Sequence, residues 1–149
     1  MILAVASGKG GTGKTTFSVN LAYALAWREQ SAPADRRRPI RLLDCDVEEP
    51  NDHLFVHPVF AEGTEVRVPK PVWDSAACLG CGACAEACHY NALAVVKGKV
   101  LVFPELCHSC GVCSYVCPTG SLVERETRIG VVQSAPDNQP FFFAHGLLD

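Results

Sequence analysis

No apolar run in this 149-residue chain approaches the roughly 20 consecutive residues that a membrane-spanning helix needs. No block of one charge dominates either: 13 lysines and arginines against 16 aspartates and glutamates leave a net charge of −3. Such a balance offers no global basic field to a nucleic acid or a membrane surface, so neither is an expected partner. The N-terminal stretch M-I-L-A-V-A-S-G-K lacks a basic leader, and its apolar part is too short for a secretory signal. With 48% apolar and 19% charged residues, the composition is that of a globular protein, with length for one to two domains. Cysteine is the exception. Nine cysteines without an export signal fit metal-bound thiolates in a reducing cytoplasm better than disulfides.

Eight of the nine form a repeat. The spacing C-x2-C-x2-C-x3-C occurs at Cys78, Cys81, Cys84 and Cys88, and again 29 residues on at Cys107, Cys110, Cys113 and Cys117. Leu93 and Leu122 keep the same offset. Three close cysteines on a tight loop can wrap three irons of a cubane cluster, while the fourth points away to another cluster. The spacing therefore assigns Cys78, Cys81, Cys84 and Cys117 to one [4Fe–4S] cluster, and Cys88, Cys107, Cys110 and Cys113 to a second. Gly80, Gly82 and Gly111 lie between ligands, where backbone must come close to inorganic sulfur. Zinc sites use paired C-x2-C units, not three close cysteines and a fourth. The segment from about Val72 to Glu126 resembles a bacterial-type two-cluster ferredoxin. Pro118 follows the last ligand as that family expects, and His89 stands where the first run would have its proline. The ninth cysteine, Cys45, lies outside the repeat and is expected to be a small, buried free thiol.

Ahead of this repeat, Ile2 to Ala6 is a fully apolar run that predicts a strand buried on both faces of a parallel sheet. The loop S-G-K-G-G-T-G-K-T-T follows at residues 7–16. Phe17, Leu21 and Leu25 then recur at helical spacing, which predicts an amphipathic helix to about Trp27. Strand, glycine-rich loop and helix together are the context of a phosphate-binding loop. Gly8, Gly10, Gly11 and Gly13, with Lys9 and Thr12 between them, let successive N–H groups turn inward as an anion nest. The helix N-terminus adds its positive end. Lys14 is placed to reach the β- and γ-phosphates of ATP, Thr15 to ligate Mg²⁺, and Thr16 to bond the α-phosphate. Residues 28–39 read as a surface connection in which Arg36 to Arg38 form a solvated face. Ile40 to Leu43 predicts a second strand, ending in D-C-D-V-E-E-P-N, residues 44–51. Ligand groups gather beyond the carboxyl ends of parallel strands, which would bring Asp44 and Asp46 beside the phosphate loop.

With its second lysine, Lys9, the loop resembles the deviant P-loop of the MinD/ParA/Mrp group, and residues 44–51 resemble the D-x-D-x-x-x-P-N segment of the same family. The resemblance implies that Lys9 reaches a partner's phosphates in a homodimer, that Asp44 supports Mg²⁺ through water, and that Asp46 positions the attacking water. Lys14, Lys9 and Asp46 would then be the catalytic residues. The order of P-loop, D-x-D segment, two-cluster insert and return resembles members of this superfamily that carry an inserted ferredoxin domain.

The fold expected is α/β: an incomplete P-loop NTPase parallel sheet in residues 1–70 and 127–149, with an α+β bacterial-type ferredoxin domain inserted at 71–126. Within it, Glu65 to Val68 reads as an edge strand, Ala94 to Val102 as a hairpin about Lys97-Gly98, and Ile129 to Val132 as a strand. His53 and His57 read as ordinary surface histidines, because Pro58 opposes a continuing helix. The family's later aspartate-ending strand and glycine-containing switch have no counterpart here, and no D-x-P-P-G segment occurs. The chain is accordingly expected to be an N-terminal fragment or a shortened member. The apolar end Phe141 to Leu148 would be surface meant to pack against further residues. ATPase activity is implied for the full-length family alone.

Two functions of different class follow. One is an ATP-binding, cytoplasmic electron-transfer protein with two [4Fe–4S] clusters, Mg²⁺ and a redox partner protein. The other is a nucleotide-controlled iron–sulfur cluster carrier or scaffold. A ferredoxin-like electron carrier without ATPase activity is a third, narrower reading.

Overall fold

The computed structural model describes residues 1–61, 63–136 and 140–149. They form two compact units, residues 1–66 with 130–149 and residues 67–129. The boundary falls inside two strands, β2 (Thr64–Trp73) and β5 (Leu122–Ala135).

In the first unit, helix α1 (Lys14–Gln30) packs on a sheet in which β1 (Arg41–Asp44) pairs with β6 (Phe142–Leu148), and β6 pairs with β5. The β1–β6 pair is parallel, with Leu42 opposite Phe143 and Asp44 opposite His145. The β5–β6 pair is antiparallel, with Gln133 opposite His145 and Ala135 opposite Phe143. This sheet is mixed, where the sequence predicted a parallel one. The six residues 136–141 that join β5 to β6 are far fewer than the dozen or so a parallel crossover needs, so the strands return antiparallel.

The core of this unit joins Val19, Ala22 and Ala26 of α1 to Leu42, Val56, Phe141 and Phe143. Phe143 is wholly buried, and the Phe141 ring meets Tyr23 edge-on at 5.0 Å. The apolar end expected at the surface is therefore a core strand. It lies in the sheet between β1 and β5, paired with both. The buried stripe of α1 also differs from expectation. Its small residues face the sheet at positions 19, 22 and 26, which permits close approach, whereas Phe17 is 59% exposed and Leu21 and Leu25 flank the seam.

Residues 2–6 form no strand and are exposed, Ile2 almost completely. A strand buried on both faces requires hydrogen-bonded neighbours and cover. The described neighbour of β1 is β6, and no described strand pairs with residues 2–6. Cys45, expected to be buried, is exposed just beyond the end of β1.

One helical turn, α2 (His53–Val56), does form and stops at His57, whose φ of 50° precedes Pro58. His53 is not a surface residue: its Nδ1 is buried, and its ring meets that of His145 at 5.3 Å. The arginine run is exposed, yet it terminates α1. Arg37 donates to the carbonyls of Ala32 and Gln30, and Arg38 pairs with Glu29 at 3.0 Å. Cations and donors at a helix C-terminus satisfy its last carbonyls.

The second unit keeps the repeat in its backbone. Helix α3 (Ala83–Glu86) and helix α4 (Val112–Tyr115) are counterparts, each begun by a left-handed glycine, Gly82 at φ 84° and Gly111 at φ 74°. A side chain at either position would strain that entry. Strands β3 (Leu93–Val96) and β4 (Lys99–Val102) make the predicted hairpin. Lys97 and Gly98 both have positive φ, which suits a two-residue turn. The core gathers Cys84, Leu93, Val100, Cys113 and Leu122, with Trp73 against it.

Candidate metal centres and phosphate loop

Each cysteine run turns around its glycines, and the two runs bring their thiols together in a crossed way. Cys78, Cys81 and Cys84 line one cavity with Cys117. Cys107, Cys110 and Cys113 line another with Cys88. Gly80 N–H donates to Cys78 Sγ at 3.4 Å, and its counterpart Ser109 N–H donates to Cys107 Sγ at the same distance. Among the described residues, no group of three or more His, Cys, Asp or Glu converges closely enough for one metal ion. Four thiols around a wider space suit a cubane cluster rather than a tetrahedral zinc.

The thiols differ in their surroundings. Burial pushes the Cys84 and Cys113 thiols up. The Ser121 hydroxyl, 3.2 Å from Cys117 Sγ, is the main cause that holds that thiol down to about 6. Cys78 is lowered first by the Gly80 N–H, then by the Trp73 indole and by Ser121. Trp73 Nε1 is buried and has no partner of ordinary hydrogen-bond geometry among the described residues, so it faces Cys78 at a looser approach. An orphaned donor and a hydroxyl aimed at thiols are what a negatively charged sulfur cage would use. Ser121 and Trp73 were not among the candidates read from the sequence. The signal was present, because the repeat sets Ser121 opposite Ala92 and Trp73 opposite Val102.

In the first unit the phosphate loop is an exposed turn closed on itself, with Thr12 Oγ1 donating to Ser7 Oγ at 2.7 Å and Ser7 Oγ to the Lys9 carbonyl at 2.9 Å. Gly13, at φ 87°, starts α1 with no side-chain cap, leaving its first N–H groups available. Lys9 is exposed; Lys14 and Thr15 are half-buried at the first turn, and Thr16 is exposed beside them.

Asp44 ends β1. One of its oxygens accepts the Asp46 N–H at 3.1 Å, and the other accepts those of Asn51 and Asp52 at 3.0 and 3.1 Å. The carboxylate thus folds the 44–52 loop back on itself. Asp52, which does not stand out in the sequence, is 5% exposed, and its carboxyl faces the Thr15 hydroxyl. Burial first and the Asp44 charge second push it up to about 6, against the Thr15 hydroxyl. Nearby, His145 is buried among Phe60, Phe143 and His53, with Nε2 3.1 Å from Gln133 Oε1. Burial lowers its pKa.

A pH dependence follows from Asp52. Its folded pKa, about 6, lies above the 3.8 of a free side chain, so the unfolded chain releases that proton first and stability falls as pH rises between about 4 and 6. Asp52→Asn removes this loss. The variant is expected to melt higher than the parent near pH 7 and to approach it near pH 4; thermal unfolding at the two pH values checks this. A variant that melts lower at both would mean that the carboxylate's approach to Thr15 outweighs its burial.

Residues 1–57 match a family described as NUBPL iron-transfer P-loop NTPase, of the ParA type, and residues 77–121 match a 4Fe-4S dicluster domain. An uncharacterised protein of Methanocaldococcus jannaschii is 31% identical over 121 residues, 76% of this chain and 38% of that protein. An iron-sulfur cluster carrier protein of Pseudomonas fragi is 40% identical over 72 residues, 48% of this chain and 22% of the carrier. The mouse iron-sulfur cluster transfer protein NUBPL is 48% identical over 50 residues, 34% of this chain and 14% of NUBPL. The chain thus spans well under half the length of these relatives. Among the described residues no helix is long and apolar enough to cross a membrane.

Proposed function

We propose, for a chain that joins a ParA-type P-loop NTPase segment to a 4Fe–4S dicluster segment, a nucleotide-binding protein that passes electrons through two [4Fe–4S] clusters. The crossed grouping of four thiols per cavity carries this reading. Cys78, Cys81, Cys84 and Cys117 would hold one cluster, and Cys88, Cys107, Cys110 and Cys113 the other. The clusters, when bound, supply one-electron chemistry. The protein's part is to fix the thiolates on glycine-turned loops and to bury Cys84 and Cys113 against its own core.

The ferredoxin-like segment is read as an insertion in the NTPase segment, with the chain entering at β2 and leaving at β5. In the phosphate site, Lys14 binds the β- and γ-phosphates of ATP, Thr15 takes Mg²⁺, and the loop N–H groups from Gly8 to Gly13 cradle the remaining charge. Asp44 already accepts three N–H bonds, which suits support of Mg²⁺ through water rather than direct ligation. Asp46 orients the attacking water, and Lys9 is exposed for a second copy's phosphates. A redox partner protein takes or gives the electron.

The names of the two relatives favour a second reading, in which the nucleotide governs delivery of a cluster. One thiol of each set, Cys81 and Cys110, is exposed. The two readings separate when anaerobically reconstituted protein is incubated with an apo-ferredoxin acceptor, with and without MgATP. Electron transfer predicts that iron stays with the chain in both. Prompt MgATP-dependent appearance of iron on the acceptor would establish delivery instead.

A further inference from the structure

We infer that the two cysteine cavities give their clusters unequal reduction potentials, with the Ser121 and Thr119 hydroxyls raising the one at Cys78, Cys81, Cys84 and Cys117 above its counterpart. The inference rests on the two-cluster reading proposed above. The repeat provides an internal control, since a cluster's potential depends on its type, net charge, solvent exposure and hydrogen bonds to sulfur. Type is the same, four thiolates each. Exposure also matches: Cys84 and Cys113 are each 8% exposed, Cys81 and Cys110 are both exposed, and the remaining pairs are half-buried. The backbone donors to Cys78 and Cys107 are equivalent too, both at 3.4 Å.

The side-chain donors do not match. Cys117 Sγ has Ser121 Oγ at 3.2 Å and Thr119 Oγ1 at 3.7 Å. A ligating thiolate can only accept, so both hydroxyls donate. At Cys88 the counterparts are Ala92, which has no side-chain donor, and Tyr90, whose ring is stacked on His108 at 4.0 Å. Cys88 Sγ receives the Ala92 amide N–H, at 3.3 Å. One further side-chain donor stands on each side, the Trp73 indole at Cys78 and the Ser114 hydroxyl at Cys113, each buried at its polar atom and without a partner of ordinary geometry among the described residues, so these two offset each other. A donor on sulfur stabilises the more negative, reduced state and so raises the potential.

Charges of both signs stand near the second set of thiols. Glu124 lines their cavity, and Lys70 Nζ is held by the carbonyls of Pro104 and Cys107. The two hydroxyls at Cys117 are left as the side-chain difference without a counterpart at Cys88. With clusters bound at both sets of thiols, the higher potential would make the set at Cys78, Cys81, Cys84 and Cys117 the favoured resting place of a single electron.

The test is an EPR-monitored potentiometric titration of the anaerobically reconstituted chain with dithionite, across about pH 6 to 9. Two steps are expected. Ser121→Ala lowers the higher step alone, and Ala92→Ser, which places a hydroxyl at the counterpart position, raises the lower step alone. Eight irons that titrate at one potential would overturn the inference, as would a Ser121→Ala variant in which neither step, or only the lower one, moves. A gap present only at one end of the pH range would assign it to the His108 ring and would equally overturn it. Four irons in the parent protein would instead fail the two-cluster reading beneath it.

Discussion

Cys81→Ser is expected to leave the protein with about half its iron, roughly four of eight atoms, and with one EPR signal of the reduced state in place of two. Cys81 suits the experiment because it is exposed, so the substitution takes nothing from the core that Cys84 helps to build. Loss of iron then reports ligation rather than folding. The crossed grouping makes a sharper demand on double variants. Cys117 lines the same cavity as Cys81, although 36 residues separate them in sequence. Cys81→Ser with Cys117→Ser damages one cluster twice and should still retain about four irons. Cys81→Ser with Cys88→Ser, both within the first run, damages both clusters and should lose most of the iron. If each run instead enclosed its own cluster, the two double variants would exchange behaviour. Iron and sulfide analysis of the four proteins decides between the arrangements.

The three close thiols of each cavity were legible in the sequence because their spacing is local, two residues between thiols fixing the reach of a loop whatever surrounds it; the crossed fourth thiol was legible only through the repeat, which pairs each run with its counterpart 29 residues away. The hairpin about Lys97-Gly98 was legible because it too is local. Strand partners are not local. The apolar run at residues 2–6 has the composition of a buried strand, yet β1 takes β6 as its neighbour, and β6 comes from the far end of the chain. Composition could mark Phe141 and Phe143 as apolar but could not say what would cover them. Periodicity likewise found α1 but weighted its large residues, when the buried seam is Val19, Ala22 and Ala26. At the phosphate site, Asp44 and Asp46 stood out through their D-x-D spacing. Asp52 did not, because its link to Thr15 depends on the 44–52 loop folding back through the Asp44 carboxylate.

Lys14→Ala is expected to weaken MgATP binding by roughly 10- to 100-fold while leaving iron content unchanged. The magnitude follows from the 1.5–3 kcal/mol typical of hydrogen bonds to charged groups, at about 1.4 kcal/mol per tenfold in affinity. Lys14 is half-buried at the first turn of α1, where the unpaired N–H groups of the helix remain to hold some of the phosphate charge, so residual binding is expected rather than none. The substitution suits a helix and removes no core contact, since the seam of α1 begins at Val19. Calorimetry on anaerobically reconstituted protein measures the affinity, and iron analysis of the same samples measures the clusters. The eight cysteines of the repeat lie in residues 67–129 and the phosphate loop in residues 1–66, so the two quantities are expected to vary independently. Loss of iron from Lys14→Ala would contradict that independence. Equal MgATP affinity in variant and parent would mean that the loop binds phosphate through its backbone alone or not at all, and the nucleotide half of the proposal would fall while the cluster half stood. If binding does depend on Lys14, MgATP added during the redox titration asks whether occupying the loop moves either potential, which is the quantity a nucleotide-gated electron carrier must change.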